Sequence, residues 1–312
     1  MTLALIFPGQ GSQTIGMGKE LYANFAVARA VFDEVDAALS EMLSDIIFGD
    51  SQETLTLTQN AQPAIMATSM AALRVLESET GFKISDAAFV AGHSLGEYSA
   101  LCAAGSISLS ETARLLRVRG NAMQQAVPAG LGAMAALIGV DTAQAESIAL
   151  TAAGDEICSV ANDNGGGQVV ISGARTAVER AVELAKSSGV KRAVMLDVSA
   201  PFHCALMASA AGVMSAALSG ATISSPSVPL VANVTASRET DPNIIRQLLV
   251  DQVTGMVRWR ESMNYLAAQG VTRTIEIGAG KVLSGLMKRI EPTITTSNFG
   301  TLADLEAFAK VE

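Results

Sequence analysis

Short apolar runs, each closed by a glycine or proline turn, set the rhythm of this chain. Thr2-Leu3-Ala4-Leu5-Ile6-Phe7 runs into Pro8-Gly9-Gln10-Gly11, and Ala87-Ala88-Phe89-Val90-Ala91 runs into Gly92. Runs of this length without polar alternation predict buried strands. The segment from Glu97 to Ala104 predicts a helix that Gly105 ends. Strand–helix alternation through Leu101 therefore predicts a doubly wound α/β layer. The texture changes near Gln125. Gly132–Val140 predicts a strand, and Asp141 has the chemistry to cap a following helix. Two strands, 157–162 and 168–173, are joined by Asp163-Asn164-Gly165-Gly166-Gly167, either a hairpin connection or a phosphate cradle. A helix over 176–188 and a strand over 193–198 complete the order β-α-β-β-α-β, which is ferredoxin-like. Strands at 230–234 and 274–277 return to the first layer. The expected fold class is thus α/β. Residues 1–125 and 199–312 form a large doubly wound domain, and 126–198 form a smaller, inserted ferredoxin-like α+β domain.

The second turn is a G-x-S-x-G pentapeptide, Gly92-His93-Ser94-Leu95-Gly96, placed between a predicted strand and a predicted helix. That context describes a nucleophile elbow and makes the large domain hydrolase-like. The sharp turn lifts the Ser94 hydroxyl out of the backbone, flanking glycines avoid crowding, and the helix N-terminus favours negative charge beside it. The competing reading is an ordinary serine in a tight turn. A serine nucleophile needs a base, and the chain has only 2 histidines. His93 adjoins the serine, where neighbouring side chains diverge. His203, in Ala200-Pro201-Phe202-His203-Cys204, is the candidate general base, set against a buried histidine satisfied by backbone groups. Acyl transfer also needs two donors for the oxyanion. Elbow geometry offers the Leu95 N–H, and the Gln10 N–H between two glycines is a reasonable second, although Gly9-Gln10-Gly11 also fits a plain turn.

Composition narrows the class. With 312 residues the chain can bury a large core. Its net charge of −9 and pI near 4.9 argue against a nucleic-acid partner. The stretches 121–140 and 198–237 carry no charge, but Gly, Pro, Ser or Gln interrupts both, so no membrane span is expected. The first strand has no basic leader, so no secretion signal is expected. Cys102, Cys158 and Cys204 are odd in number and scattered, which suits reduced thiols in a cytoplasm. They lack metal-ligand spacing, no G-K-[ST] follows Gly9-Gln10-Gly11, and neither a metal nor a cofactor is expected.

Taken in order, Phe7-Pro8-Gly9-Gln10-Gly11-Ser12-Gln13, the 92–101 segment Gly-His-Ser-Leu-Gly-Glu-Tyr-Ser-Ala-Leu, Arg119-Gly120, Pro201-Phe202-His203-Cys204 and the 276–283 stretch resemble the malonyl-CoA:acyl carrier protein transacylase family. The resemblance spans nearly the whole chain. It implies a ping-pong transfer of malonyl from malonyl-CoA to the phosphopantetheine thiol of acyl carrier protein through a malonyl-Ser94 intermediate, supplying fatty acid synthesis. His203 would be the base, and Gln10 and Leu95 the oxyanion donors. Arg119 would pair with the malonyl carboxylate, a role the residues alone leave level with a surface arginine beside Arg114 and Arg117. Gln252 would orient His203 through its main-chain carbonyl. Phe202 departs from the small residue frequent there in bacterial members and is similar to malonyl-selecting polyketide synthase domains. No acid partner for His203 stands out: Asp197 lies six residues upstream and Glu276 sits in a predicted strand, and each has a structural reading. Lys281, Lys288 and Arg289, spaced as one helical face near Arg258 and Arg260, are candidates for docking the acidic carrier protein. A polyketide-pathway acyltransferase and a serine thioesterase or esterase are the alternatives.

Overall fold

The computed structural model describes residues 2–308. Its strands, in chain order, are β1 (Leu3–Phe7), β2 (Phe89–Gly92), β3 (Gly132–Ile138), β4 (Cys158–Asp163), β5 (Gln168–Ala174), β6 (Arg192–Met195), β7 (Leu230–Val231), β8 (Arg238–Glu239), β9 (Arg273–Ile277) and β10 (Thr295–Phe299). They form two sheets. The larger has the order β10-β9-β1-β2-β7-β8, parallel except where β8 runs antiparallel to β7. The smaller has the order β4-β5-β3-β6 and is antiparallel, which is the ferredoxin-like arrangement.

Unbroken apolarity of the central strands has a direct cause. Leu5 and Phe7 of β1 face one core, packed by helices such as 58–80 and 95–103. Ala4 and Ile6 face the opposite core, with Trp259, Met263, Leu266 and Met287. A strand covered on both faces reads as a near-continuous apolar run, as β1 does. The smaller sheet alternates in the same way. Ala133, Ala135 and Leu137 of β3 pack beneath the helices Thr142–Ala153 and Arg175–Ser187, whereas Met134 and Ala136 join the main core. The bare face of the small sheet is therefore the one turned to the large sheet, and the two sheets share a cleft. Asp141 caps its helix by accepting from the Gln144 N–H at 2.8 Å.

Three strands are shorter than their hydrophobic runs suggest, among them β3, expected through Val140 but ending at Ile138. The strand expected over 193–198 ends at Met195, one hydrogen bond short of Leu196, whose N–H still reaches the Met134 carbonyl. The strand expected over 230–234 stops at Val231 because the Asn233 N–H is taken by the Glu97 carboxyl instead of a neighbouring strand. The 163–167 segment is a hairpin connection, with Gly165, Gly166 and Gly167 all at positive φ. Among the described residues no helix is long and apolar enough to cross a membrane.

Candidate active site

β2 leads into Ser94, which sits at φ 53°, ψ −110°, and the helix Leu95–Ala103 starts at once. The pentapeptide glycines are steric requirements. A Cβ on Gly92 would lie 1.9 Å from the Gly96 carbonyl oxygen, and one on Gly96 would lie 2.2 Å from the Phe7 carbonyl oxygen. Asn233 clamps the turn from across the sheet. Its Oδ1 accepts from the Ser94 N–H at 2.8 Å, and its Nδ2 donates to the Gly92 carbonyl at 2.7 Å. Ser94 and His203 (φ 58°) are two of the four non-glycine residues at positive φ among those described. Strain of this kind persists only where the surroundings hold it, and it concentrates at functional positions.

The Ser94 hydroxyl lies 2.8 Å from His203 Nε2. On the other side of the ring, Nδ1 lies 2.9 Å from the Gln252 carbonyl oxygen and 3.2 Å from that of Gly255. Carbonyls only accept, so Nδ1 carries the proton and Nε2 presents its lone pair to the serine. Among the described residues no carboxylate hydrogen-bonds to the ring. Asp197 lies at the exposed rim of the cleft. Glu276 is buried elsewhere, capping the helix Val282–Ile290 through the N–H groups of Leu283 and Ser284. Burial, and then the charge of Arg119, push the His203 pKa down to about 3.

Arg119 leaves the helix Leu109–Gln125 on the face opposite its neighbour. Arg117 binds Glu41 and Asn60, while Arg119 is buried at 1% exposure. Its Nη2 donates to Ser94 Oγ at 3.0 Å and to Gln252 Oε1 at 3.0 Å, and its Nη1 donates to Gln62 Oε1 at 2.8 Å. The guanidinium carbon stands 5.7 Å over the Tyr98 ring. Each of these partners is neutral. A buried cation held only by neutral dipoles is costly and favours an incoming anion. Burial lowers its pKa from the usual value.

These groups line a cavity of about 330 Å³ that Gln10, His93, Met134 and Phe202 help to enclose. Phe202 is 7% exposed and precedes the base. Gly9 packs so tightly on the His93 carbonyl that a Cβ there would lie 2.6 Å from it, which brings Gln10 against the elbow. Among the described residues, no protein acceptor engages the N–H of Gln10 or of Leu95. His93 points away from the serine. Its Nε2 meets Asn164 Oδ1 at 2.9 Å and its ring packs on Trp259; burial lowers its pKa, and the Asn164 contact opposes that shift. No group of three or more His, Cys, Asp or Glu among the described residues could hold a metal.

Several contributors escape a linear reading of the sequence. Gln62, Glu97, Tyr98 and Asn233 are all buried and polar. Only Glu97 had a local signal, a charge inside an apolar helix. The basic candidates divide. Arg258 pairs with Glu261 and Arg260 with Asp163. Lys281 stands just before its helix, so it does not share a helical face with Lys288 and Arg289. Arg289 leans over Gly166 of the hairpin loop.

The acyl transferase domain family model matches residues 4–293. A malonyl CoA-acyl carrier protein transacylase of Bacillus subtilis (strain 168) is 47% identical over 296 residues, covering 94% of this chain and 92% of the relative. An acyl-carrier-protein-S-malonyltransferase structure from Bartonella henselae superposes with TM-score 0.97 at 57% identity, covering 100% of this chain and 99% of that one. A malonyl-transacylase solved in complex with a type II polyketide synthase acyl-carrier protein superposes with TM-score 0.96 at 40% identity, with 100% of both chains covered.

Proposed function

The chain belongs to the malonyl-CoA:acyl carrier protein transacylase family, and from that membership we propose how its residues share the reaction. The enzyme transfers malonyl from malonyl-CoA to acyl carrier protein, supplying fatty acid synthesis. Ser94 is the nucleophile. His203 Nε2 takes its proton as Oγ attacks the thioester carbonyl, and the N–H groups of Leu95 and Gln10 receive the oxyanion. The proton then passes to the departing CoA sulfur, leaving malonyl-Ser94. The carrier-protein thiol enters, gives its proton to His203 and attacks the ester. Collapse of the second oxyanion returns the proton to Ser94. The Gln252 carbonyl holds the imidazole in the working tautomer.

Arg119 receives the malonyl carboxylate as a two-pronged, charge-assisted partner, exchanging neutral contacts for an anion. The observation that carries this reading is that buried guanidinium, hydrogen-bonded only to neutral groups, 3.0 Å from the Ser94 hydroxyl. Phe202 crowds the carbon next to the thioester. Residues 126–198 act as one inserted domain that forms the second wall of the cleft. We place the protein in the cytoplasm, where its three free cysteines stay reduced.

Intact-mass analysis after mixing with malonyl-CoA tests the scheme. Wild type should gain one malonyl unit and Ser94→Ala none. A malonylated Ser94→Ala protein would remove the nucleophile assignment.

A further inference from the structure

Glu97 is the third residue of the helix that follows the elbow, and it is fully buried; among the described residues no cation forms an ion pair with it, although the Arg119 charge acts on it from further off. Its Oε2 accepts from the Asn233 N–H at 2.9 Å and from Gln252 Nε2 at 2.9 Å. Its Oε1 is buried without any partner. We infer that Glu97 is a positioning residue for malonyl selection, because its Oε2 fixes the side-chain amide of Gln252 in the one orientation that presents Oε1 to Arg119. This rests on the reading of Arg119 as the carboxylate partner.

Donor and acceptor chemistry fixes the orientation of the amide. Burial pushes the Glu97 pKa up to about 7, but both protonation states have the same consequence. A carboxylate only accepts, and a proton placed on the unpartnered Oε1 leaves Oε2 an acceptor. Gln252 must therefore turn its NH₂ toward Glu97. The same NH₂ reaches the Ser94 carbonyl at 3.0 Å, so its other hydrogen is also used. The amide oxygen is left on the far side, 3.0 Å from Arg119 Nη2. A flipped amide would face the guanidinium with a second donor and push it away. The main chain of the same Gln252 carries the carbonyl on His203, so the base and the arginine hang from one residue whose side chain Glu97 orients. Through the Asn233 N–H, Glu97 also bends the chain after β7 so that the Asn233 side chain meets the elbow.

The test compares kcat/KM for malonyl-CoA and acetyl-CoA, with carrier protein as acceptor, and Tm for each variant. Glu97→Leu removes the acceptor at similar volume, and Gln252→Met removes the amide while keeping the main-chain carbonyl. Each should lower the malonyl-to-acetyl ratio by about tenfold or more, the loss expected when a hydrogen bond to a charged group is broken. Glu97→Gln keeps a carbonyl oxygen for Oε2 and should restore most of the ratio. Adding Glu97→Leu to Arg119→Ala should cost no further ratio, because the two act in one chain of contacts. An unchanged ratio in Glu97→Leu and Gln252→Met would overturn the inference, as would additivity in the double variant. If Glu97→Leu does not fold, Glu97→Met, which likewise offers no oxygen acceptor to Gln252, takes its place in the comparison. Should Arg119→Ala by itself treat malonyl and acetyl alike, the carboxylate reading falls and takes this inference with it. If Arg119→Ala discriminates while the other two variants do not, only this inference falls.

Discussion

Arg119 and Ser94 are hydrogen-bonded to each other, Nη2 to Oγ at 3.0 Å, and that contact joins two requirements of the reaction. An acyl group built on Oγ grows next to a buried cation, which suits a group ending in a carboxylate. The same charge bears on His203, which shares the serine oxygen at 2.8 Å. On the proposed reading, the arginine selects the acyl group and its charge also helps keep His203 unprotonated.

That second effect has a pH signature. His203 works as a base only when neutral. Burial and the Arg119 charge hold its pKa near 3, so protonation of this ring should not limit activity at pH 6.5, where a free imidazole is half-charged. Removing the cation removes one of the causes, so the folded pKa rises toward the ordinary value. The acid limb of kcat/KM should then move to higher pH in Arg119→Met. Acetyl-CoA is the substrate for this profile, since it does not need the arginine. Superimposable acid limbs in wild type and variant would show that the charge does not act on the base.

Packing at the elbow predicts a severe effect from a single methyl group. The Cβ of Gly96→Ala would lie 2.2 Å from the Phe7 carbonyl oxygen and 2.8 Å from that of Pro8. Both are backbone atoms leading into the Gln10 turn, so the clash cannot be relieved by a side-chain rotation. Overpacking of this kind typically costs about 1–3 kcal/mol. We expect a lower Tm together with slower malonyl-enzyme formation, because relief displaces the loop that carries Gln10. A normal Tm with normal acylation would show that the elbow can slide along β1.

How much of this was legible in the sequence depends on how locally each feature is encoded. The elbow was, because Gly92, Ser94 and Gly96 clash or fit within five residues. The inserted ferredoxin-like domain was, because Asp141 caps its helix and the glycines at 165–167 close a hairpin. His203 was singled out by scarcity, as one of two histidines, and the structure sets it 2.8 Å from the Ser94 hydroxyl. The network behind the site was not. Asn233 reaches the Ser94 N–H across 139 residues, and Gln252 reaches the Ser94 carbonyl across 158. An amide in a linear sequence carries no sign of such a partner. The strand expected through Val234 failed for the same reason, since its length was set by a distant carboxyl and not by its own apolar run.

The wall beside the base predicts a change of selectivity. Phe202 is almost buried and lines the cleft with Met134. Phe202→Ser should open room for a methyl branch and raise methylmalonyl-CoA kcat/KM relative to malonyl-CoA. A methyl in a pocket is worth only about 1–3 kcal/mol, so the shift should not exceed about two orders of magnitude. Equal losses on both substrates with a depressed Tm would make Phe202 a packing residue and nothing more.

Docking of an acidic carrier protein is tested on those of the five candidate cations that have no acidic partner among the described residues. Arg258 and Arg260 are engaged with Glu261 and Asp163, which leaves Lys281, Lys288 and Arg289. Reversing Lys288 and Arg289 together should raise KM for carrier protein while KM for malonyl-CoA holds, and the effect should shrink at high salt, where exposed charges are screened. An unmoved carrier-protein KM would leave this face to solvent.

The sharpest expectation separates a malonyl transferase from any other serine acyltransferase. Arg119→Ala should lose malonyl transfer and keep, or gain, acetyl transfer. A hydrogen bond to a charged group contributes about 1.5–3 kcal/mol, and breaking a buried ion pair from one side costs about 3–5 kcal/mol. The malonyl kcat/KM should therefore fall by about two to three orders of magnitude or more, at roughly tenfold per 1.4 kcal/mol. Acetyl-CoA has no carboxylate to strand, and removal of a buried cation eases entry of an uncharged acyl group. Two features sharpen the comparison. Gln62 and Gln252 both aim oxygens at the guanidinium, so Arg119→Lys, a single point charge, cannot satisfy both and also meet a carboxylate with two prongs. It should restore malonyl transfer only in part. The measurement is kcat/KM for both acyl-CoAs in wild type, Arg119→Ala and Arg119→Lys. Equal losses on malonyl and acetyl would mean that Arg119 braces the elbow through Ser94 and takes no part in choosing the acyl group.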